Sequence, residues 1–164
     1  MNSTPGKAAT FAATGSATTQ LAGFIAKFDP AVARVIRACR AALRKRMPAA
    51  NELVYDNYNF FVIGYSPSDR PSDSIVSLAA AANGVGLSFY HGATVPDPEQ
   101  LLQGAGKQNR FIRLPSAVTL AEPGVSRLID AAIAQSAVPL PATGKGRLVI
   151  RSISGAQRPR RKAE

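Results

Sequence analysis

The chain has 164 residues, a usual length for a single domain, and 46% of them are apolar, an ordinary globular value. One cysteine, Cys39, excludes an intrachain disulfide, and with one histidine, His91, Cys and His alone cannot supply a zinc site. The net charge is +10, of which residues 145–164 carry +6, so the remaining chain is only mildly basic.

Residues 1–18 are rich in Ala, Thr, Ser and Gly and lack the apolar core of a secretory leader. They read as a disordered tail. A transit segment is the alternative, against which the absence of arginine speaks. No apolar run approaches the roughly 20 residues of a membrane helix. The expectation is therefore a protein off the membrane and, with its lone thiol, a cytoplasmic one.

A first helix is expected over about Thr19 to Phe28, where Leu21, Phe24, Ile25 and Phe28 recur at helical spacing. Asp29-Pro30 opens a second helix, with Asp29 as N-cap and Pro30 at the first helical position. It runs to about Arg46 and buries Val32, Val35, Ile36, Cys39, Ala42 and Leu43; Pro48 stops it. The pattern then turns to strands at Glu52–Tyr58, Asn59–Tyr65, Ser74–Ala81 and Val85–Tyr90. A Pro-rich polar turn at 66–73 and an Asn83-Gly84 hairpin signal lie between them. A loop follows, with one helical turn expected at Glu99–Leu102. Phe111–Leu114 reads as a short edge strand, and Pro123–Ala137 as the last helix, with Val125, Leu128, Ile129, Ala132 and Ile133 on its apolar face. A linker over 139–146 leads to a strand over 147–152, and GAQRPRRKAE is expected to be mobile. These elements make an α+β domain over 19–138: an antiparallel sheet of about five strands, packed on one face by N-terminal and C-terminal helices.

The order of motifs resembles a known family. The carriers are the helix with Arg40 ending in Met47-Pro48, then ELVYDNYNFFVIGY, then LSFYHGATVPDPEQLLQGAGKQNRFIRL, then the Leu128–Ala132 helix, with the segment 92–114 the most specific. The family is the domain-of-unknown-function family numbered 1801, also called YdhG-like, and the likeness spans about residues 19–137. It implies an α+β fold with an antiparallel sheet, and no single activity. By analogy within the family it also implies an iron-carrying accessory role, with iron as cargo. An iron donor needs clustered carboxylates, and here Asp and Glu are few and scattered.

Six residues stand out as candidate ligand-binding groups: Arg40, Glu52, Asp56, His91, Lys107 and Arg110. The GAGKQNR segment brings glycine backbone N–H groups together with Lys107 and Arg110, a combination that can hold a phosphate or carboxylate. It is not a Walker loop, since the spacing differs and Gln108 stands where a hydroxyl is needed; a plain tight turn explains it as well. Arg37, Arg40 and Arg44 form a stripe on the second helix, fit for phosphates or for simple solvation. Glu52 and Asp56 share one face of a strand and can serve as acid and base, or pair structurally, with Arg40 the natural partner of Glu52. His91 is a candidate base with no nucleophile in a recognisable motif beside it, and Cys39 lies on an apolar stripe. No catalytic or metal-binding residue is assigned.

Three functions remain open, with enzymatic activity a fourth and weaker reading. The leading one is a non-enzymatic binding or carrier domain for a small anionic ligand or a partner protein, its site formed where the 91–110 loop meets the sheet. The second is the iron-carrying role, by family analogy alone. The third is weak nucleic-acid association through the tail residues Arg158, Arg160, Arg161 and Lys162, which is salt-sensitive and offers no base stacking, because the tail has no aromatic side chain.

Overall fold

A computed structural model describes residues 16–163. The expected tail at 1–18 falls largely outside them; its last residues belong to the first helix. Ser16 caps that helix by accepting from the Thr19 backbone N–H at 3.1 Å. Helix α1 (Ala17–Ala26) and helix α2 (Pro30–Arg46) follow as the apolar spacing predicts, with α1 starting two residues early. Asp29 stands at the α2 N-cap position without a side-chain capping bond, so Pro30 at the first helical position is what defines this start.

Strands β1 (Asn51–Asp56), β2 (Phe61–Ser66), β3 (Val76–Ala81) and β4 (Gly84–Phe89) form the expected antiparallel meander. The β3–β4 turn is Ala82–Asn83 rather than Asn83-Gly84. Gly84 pairs with Ala81 and has φ 130°, which relieves the turn residues of any positive φ. Strand β5 (Arg110–Arg113) adds to β4 at one edge. Residues 98–99 form only a turn, held by the Asp97 carboxylate accepting from the backbone N–H groups of Leu101 and Leu102, so no helix forms at 99–102. Helix α3 (Pro123–Ala134) ends three residues short of its expected limit.

The last strand, β6 (Leu148–Ile153), changes the sheet. It lies parallel to β1, so the sheet has six strands in the order β5-β4-β3-β2-β1-β6 and is mixed rather than purely antiparallel. Gly146 admits it. A Cβ there would stand 1.7 Å from the Ala50 carbonyl oxygen, so only glycine lets the two backbones approach this closely.

Among the described residues, α1, α2 and α3 cover one face of the sheet. Ile36, Cys39 and Leu43 of α2 and Val125, Leu128 and Ile129 of α3 join Val54, Ile63, Tyr65, Val76, Leu78 and Leu87 in one core. Arg46 ties α2 to α3 through the Ser126 hydroxyl and the Asp130 carboxylate. The opposite face carries Val62, Ser77, Ala79, Gly86, Ser88 and Phe111, all half-buried, and among the described residues no helix is laid over them. Among the described residues, no helix is long and apolar enough to cross a membrane.

Candidate functional site

The six candidate residues separate into three places. Glu52 is buried, and Arg40 donates to both its oxygens, through Nε and Nη2, each at 2.9 Å. The Tyr65 hydroxyl donates to Oε2 of the same carboxylate at 2.9 Å, and Arg44 lies 3.7 Å away. The Arg40–Glu52 pairing expected across the helix–sheet contact is therefore present, and it occupies both groups. Burial, reinforced by Glu52, holds the Tyr65 hydroxyl well above the ordinary tyrosine pKa.

Asp56 lies at the other end of β1, roughly 13 Å further along the strand at the usual rise per residue. It is fully buried and meets Lys27 at 2.6 Å and Arg160 at 2.9 Å. Arg160 comes from the segment expected to be mobile. That segment is instead docked: Ser154 N–H donates to Asp56 O, Arg158 N–H donates to Tyr58 O, and Arg160 Nη2 donates to Asn57 O at 2.6 Å. Arg160 also sits over the Phe28 ring, 5.9 Å from its centroid, with only 5% of its surface exposed. One of the four expected nucleic-acid contacts is thus a core residue.

His91, Lys107 and Arg110 lie at the far edge. Register runs Glu52, Tyr65, Val76, Phe89, Arg110 across the sheet, so Arg110 stands four strands from Glu52, about 19 Å. Arg110 Nη1 donates to the Gly106 and Asn109 carbonyls, closing its own loop, and Lys107 is exposed. His91 faces the Ser72 carbonyl at 3.4 Å and the Tyr90 ring edge-on. The expected cleft between the 91–110 loop and the acids of β1 does not form, because β5 and β1 are separated by the whole meander. Among the described residues no three His, Cys, Asp or Glu side chains gather in a way that could hold a metal ion. The carboxylates that an iron cargo would use are tied to cations, so the residues present do not fit that group. Cys39 is buried in the core, and burial pushes its thiol up to about 11, far from a reactive thiolate.

The feature that the sequence reading missed is the uncovered sheet face. Two hollows meet there. One, of about 480 Å³, has a floor of Ser77, Gly86 and Ser88 and walls of Phe60, Phe111 and Arg113. The other, of about 650 Å³, lies between Phe60, Asn83 and the docked tail residues Arg158, Arg161 and Lys162. Phe60 and Asn83 belong to both, so the hollows run together. Phe60 is 50% exposed, an unusual state for a large apolar ring. Among the described residues that line them, there are four cations and no carboxylate. Of the acids outside the lining, Asp69 pairs with Arg147, Glu99 with Arg127 and Asp130 with Arg46, besides Glu52 and Asp56, while Asp29 approaches the groove cation Arg161 at 3.9 Å. The signal in the sequence was the run of small residues at alternate positions of β3 and β4.

No family model, no curated protein and no solved structure matches this chain.

Proposed function

We propose that this chain is a non-enzymatic binding domain for anionic ligands, and that its site is the groove on the uncovered sheet face beside the docked tail. The observation that carries this reading is the groove's charge. Arg113, Arg158 and Lys162 line it with no carboxylate paired to their side chains among the described residues, and Arg161, whose guanidinium lies 3.9 Å from Asp29, adds to them, so an anion entering gains attraction from several sides. The position supports it too. The cations ride on a β-strand edge and on a segment pinned by the Arg160–Asp56 pair, so their backbones are fixed before a ligand arrives.

This reading moves the site away from Lys107 and Arg110, whose loop is closed on itself. The likeness to the 1801 family enters as part of the proposal, supported by the α+β architecture that it implies. Titration calorimetry with inorganic tripolyphosphate tests the site. Arg113→Glu combined with Arg158→Glu is expected to weaken binding at least tenfold, and Lys107→Ala to change it less than twofold. Equal affinity in the wild type and the double variant would remove the groove as the site.

A further inference from the structure

Resting on that groove as the anion site, we infer that its ligand is single-stranded nucleic acid, held with bases stacked on the sheet and phosphates on the arginines. The tail by itself offers charge without aromatic surface. Folding supplies what it lacks. Arg158 docks against Tyr58, its guanidinium 5.7 Å from the ring centroid, and its neighbours line a groove whose wall is the exposed face of Phe60. Phe111 stands across the same groove, on the neighbouring strand to Ser88. A strip of rings and guanidinium groups without acids is the chemistry that binds single strands: every base has a face to stack, and every nucleotide a phosphate to neutralise.

The floor fits the same occupant. Ser77, Ala79, Gly86 and Ser88 are small, so a planar base can lie close to the backbone between the two phenylalanines. From β5 to β2 the face spans three strand spacings, about 14 Å, which suits two to three stacked bases, as on other aromatic-bearing sheets. The ligand class is single strands rather than duplex, because paired bases inside a helix present no face to Phe60 or Phe111. At the rim the exposed Asn83 amide offers a donor and an acceptor for base edges or a sugar hydroxyl, and Asn109, whose amide oxygen accepts from the Ser88 hydroxyl, offers its NH2 donors.

The test is fluorescence anisotropy of a labelled oligothymidylate of about ten nucleotides, with a matched duplex and with tripolyphosphate as competitor. The full chain is expected to prefer the single strand, with affinity falling as salt rises on a log–log slope of about −3 for four phosphate contacts. Phe60→Ala is expected to weaken binding at least about fivefold, and Phe60→Trp to restore it. Phe60 is half exposed, so an unchanged melting temperature accompanies these variants and separates stacking from folding. If duplex and single strand bind alike and Phe60→Ala has no effect, while tripolyphosphate still competes, the nucleic-acid inference falls and the anion groove stands. If neither oligonucleotide nor tripolyphosphate binds, both fall. Binding that survives Arg113→Glu with Arg158→Glu also overturns both.

Discussion

Arg160 and Asp56 stand 104 residues apart in the chain, yet their side chains meet at 2.9 Å with both nearly or wholly sealed from solvent. The pair closes the C-terminal segment over the end of β1, beside the parallel strand β6. It converts what composition alone marks as a solvated basic tail into part of the domain, and it sets Arg158, Arg161 and Lys162 beside Phe60.

Breaking this pair from the acid side is the costly direction. Asp56→Ala leaves the Arg160 guanidinium buried without a counter-charge and is expected to destabilise the domain by about 3–5 kcal/mol in urea unfolding. Arg160→Met costs less, because Lys27 still neutralises Asp56 from 2.6 Å and the methionine chain keeps the contact with Phe28. A larger loss for Arg160→Met than for Asp56→Ala would contradict this ordering.

Glu52 makes an internal comparison possible. Tyr65→Phe removes one hydrogen bond to a carboxylate that Arg40 still holds at two points, and about 1.5–3 kcal/mol is expected to be lost. Glu52→Ala strips the partner from both Arg40 and the buried Tyr65 hydroxyl and is expected to cost more. Chemical denaturation of the two variants gives the order directly.

Alkaline stability follows from Cys39. The unfolded thiol titrates near 9 and burial raises it to about 11 in the fold, so the unfolded state loses its proton first as pH rises. The contribution is complete below pH 9 and declines by about 1.4 kcal/mol per pH unit up to about 11. Tyr65, also raised by burial, extends the decline in the same direction above the ordinary tyrosine range. Cys39→Ala is expected to flatten the curve between pH 9 and 11 in a series of denaturation midpoints, whatever its effect at pH 7. An unchanged slope would show that the thiol ionises as easily folded as unfolded.

Gly146 controls the entry of β6. Gly146→Ala puts a methyl group 1.7 Å from the Ala50 carbonyl oxygen, so the backbone must retreat, and a loss of about 3 kcal/mol or more is expected. Amide exchange should show β6 opening in this variant while β3 and β4 stay protected. Wild-type protection at β6 would mean the strand can shift without separating.

The helices and the meander were legible because their signals are local. Leu21, Phe24, Ile25 and Phe28 repeat at helical spacing, and each strand pairs with the next in sequence. The Arg40–Glu52 bond was legible for a related reason: only 12 residues separate Arg40, on the second helix, from Glu52, on the strand that follows it. Strand β6 was not, since its parallel partner lies about a hundred residues away and nothing in Leu148–Ile153 names β1. The burial of Arg160 was hidden for the same reason, as composition places RPRRK in solvent. The expected cleft does not form because it needed the 92–114 stretch to fold back toward β1, whereas the meander keeps spatial order equal to chain order and leaves β5 at the edge farthest from β1. The groove was hidden because an uncovered face is a property of the assembled sheet, visible only as small residues at alternating positions.

The central claim, that the uncovered face is the binding site, is met most directly by mapping a ligand on the protein with amide chemical shifts. Titration of the labelled full chain with oligothymidylate is predicted to move the signals of Phe60, Ala79, Gly86, Ser88 and Arg113, together with Arg158 and Lys162. Shifts confined to the α2 residues Arg34, Arg37 and Lys45, or to the Gly104–Arg110 loop, would place the ligand elsewhere and contradict the account.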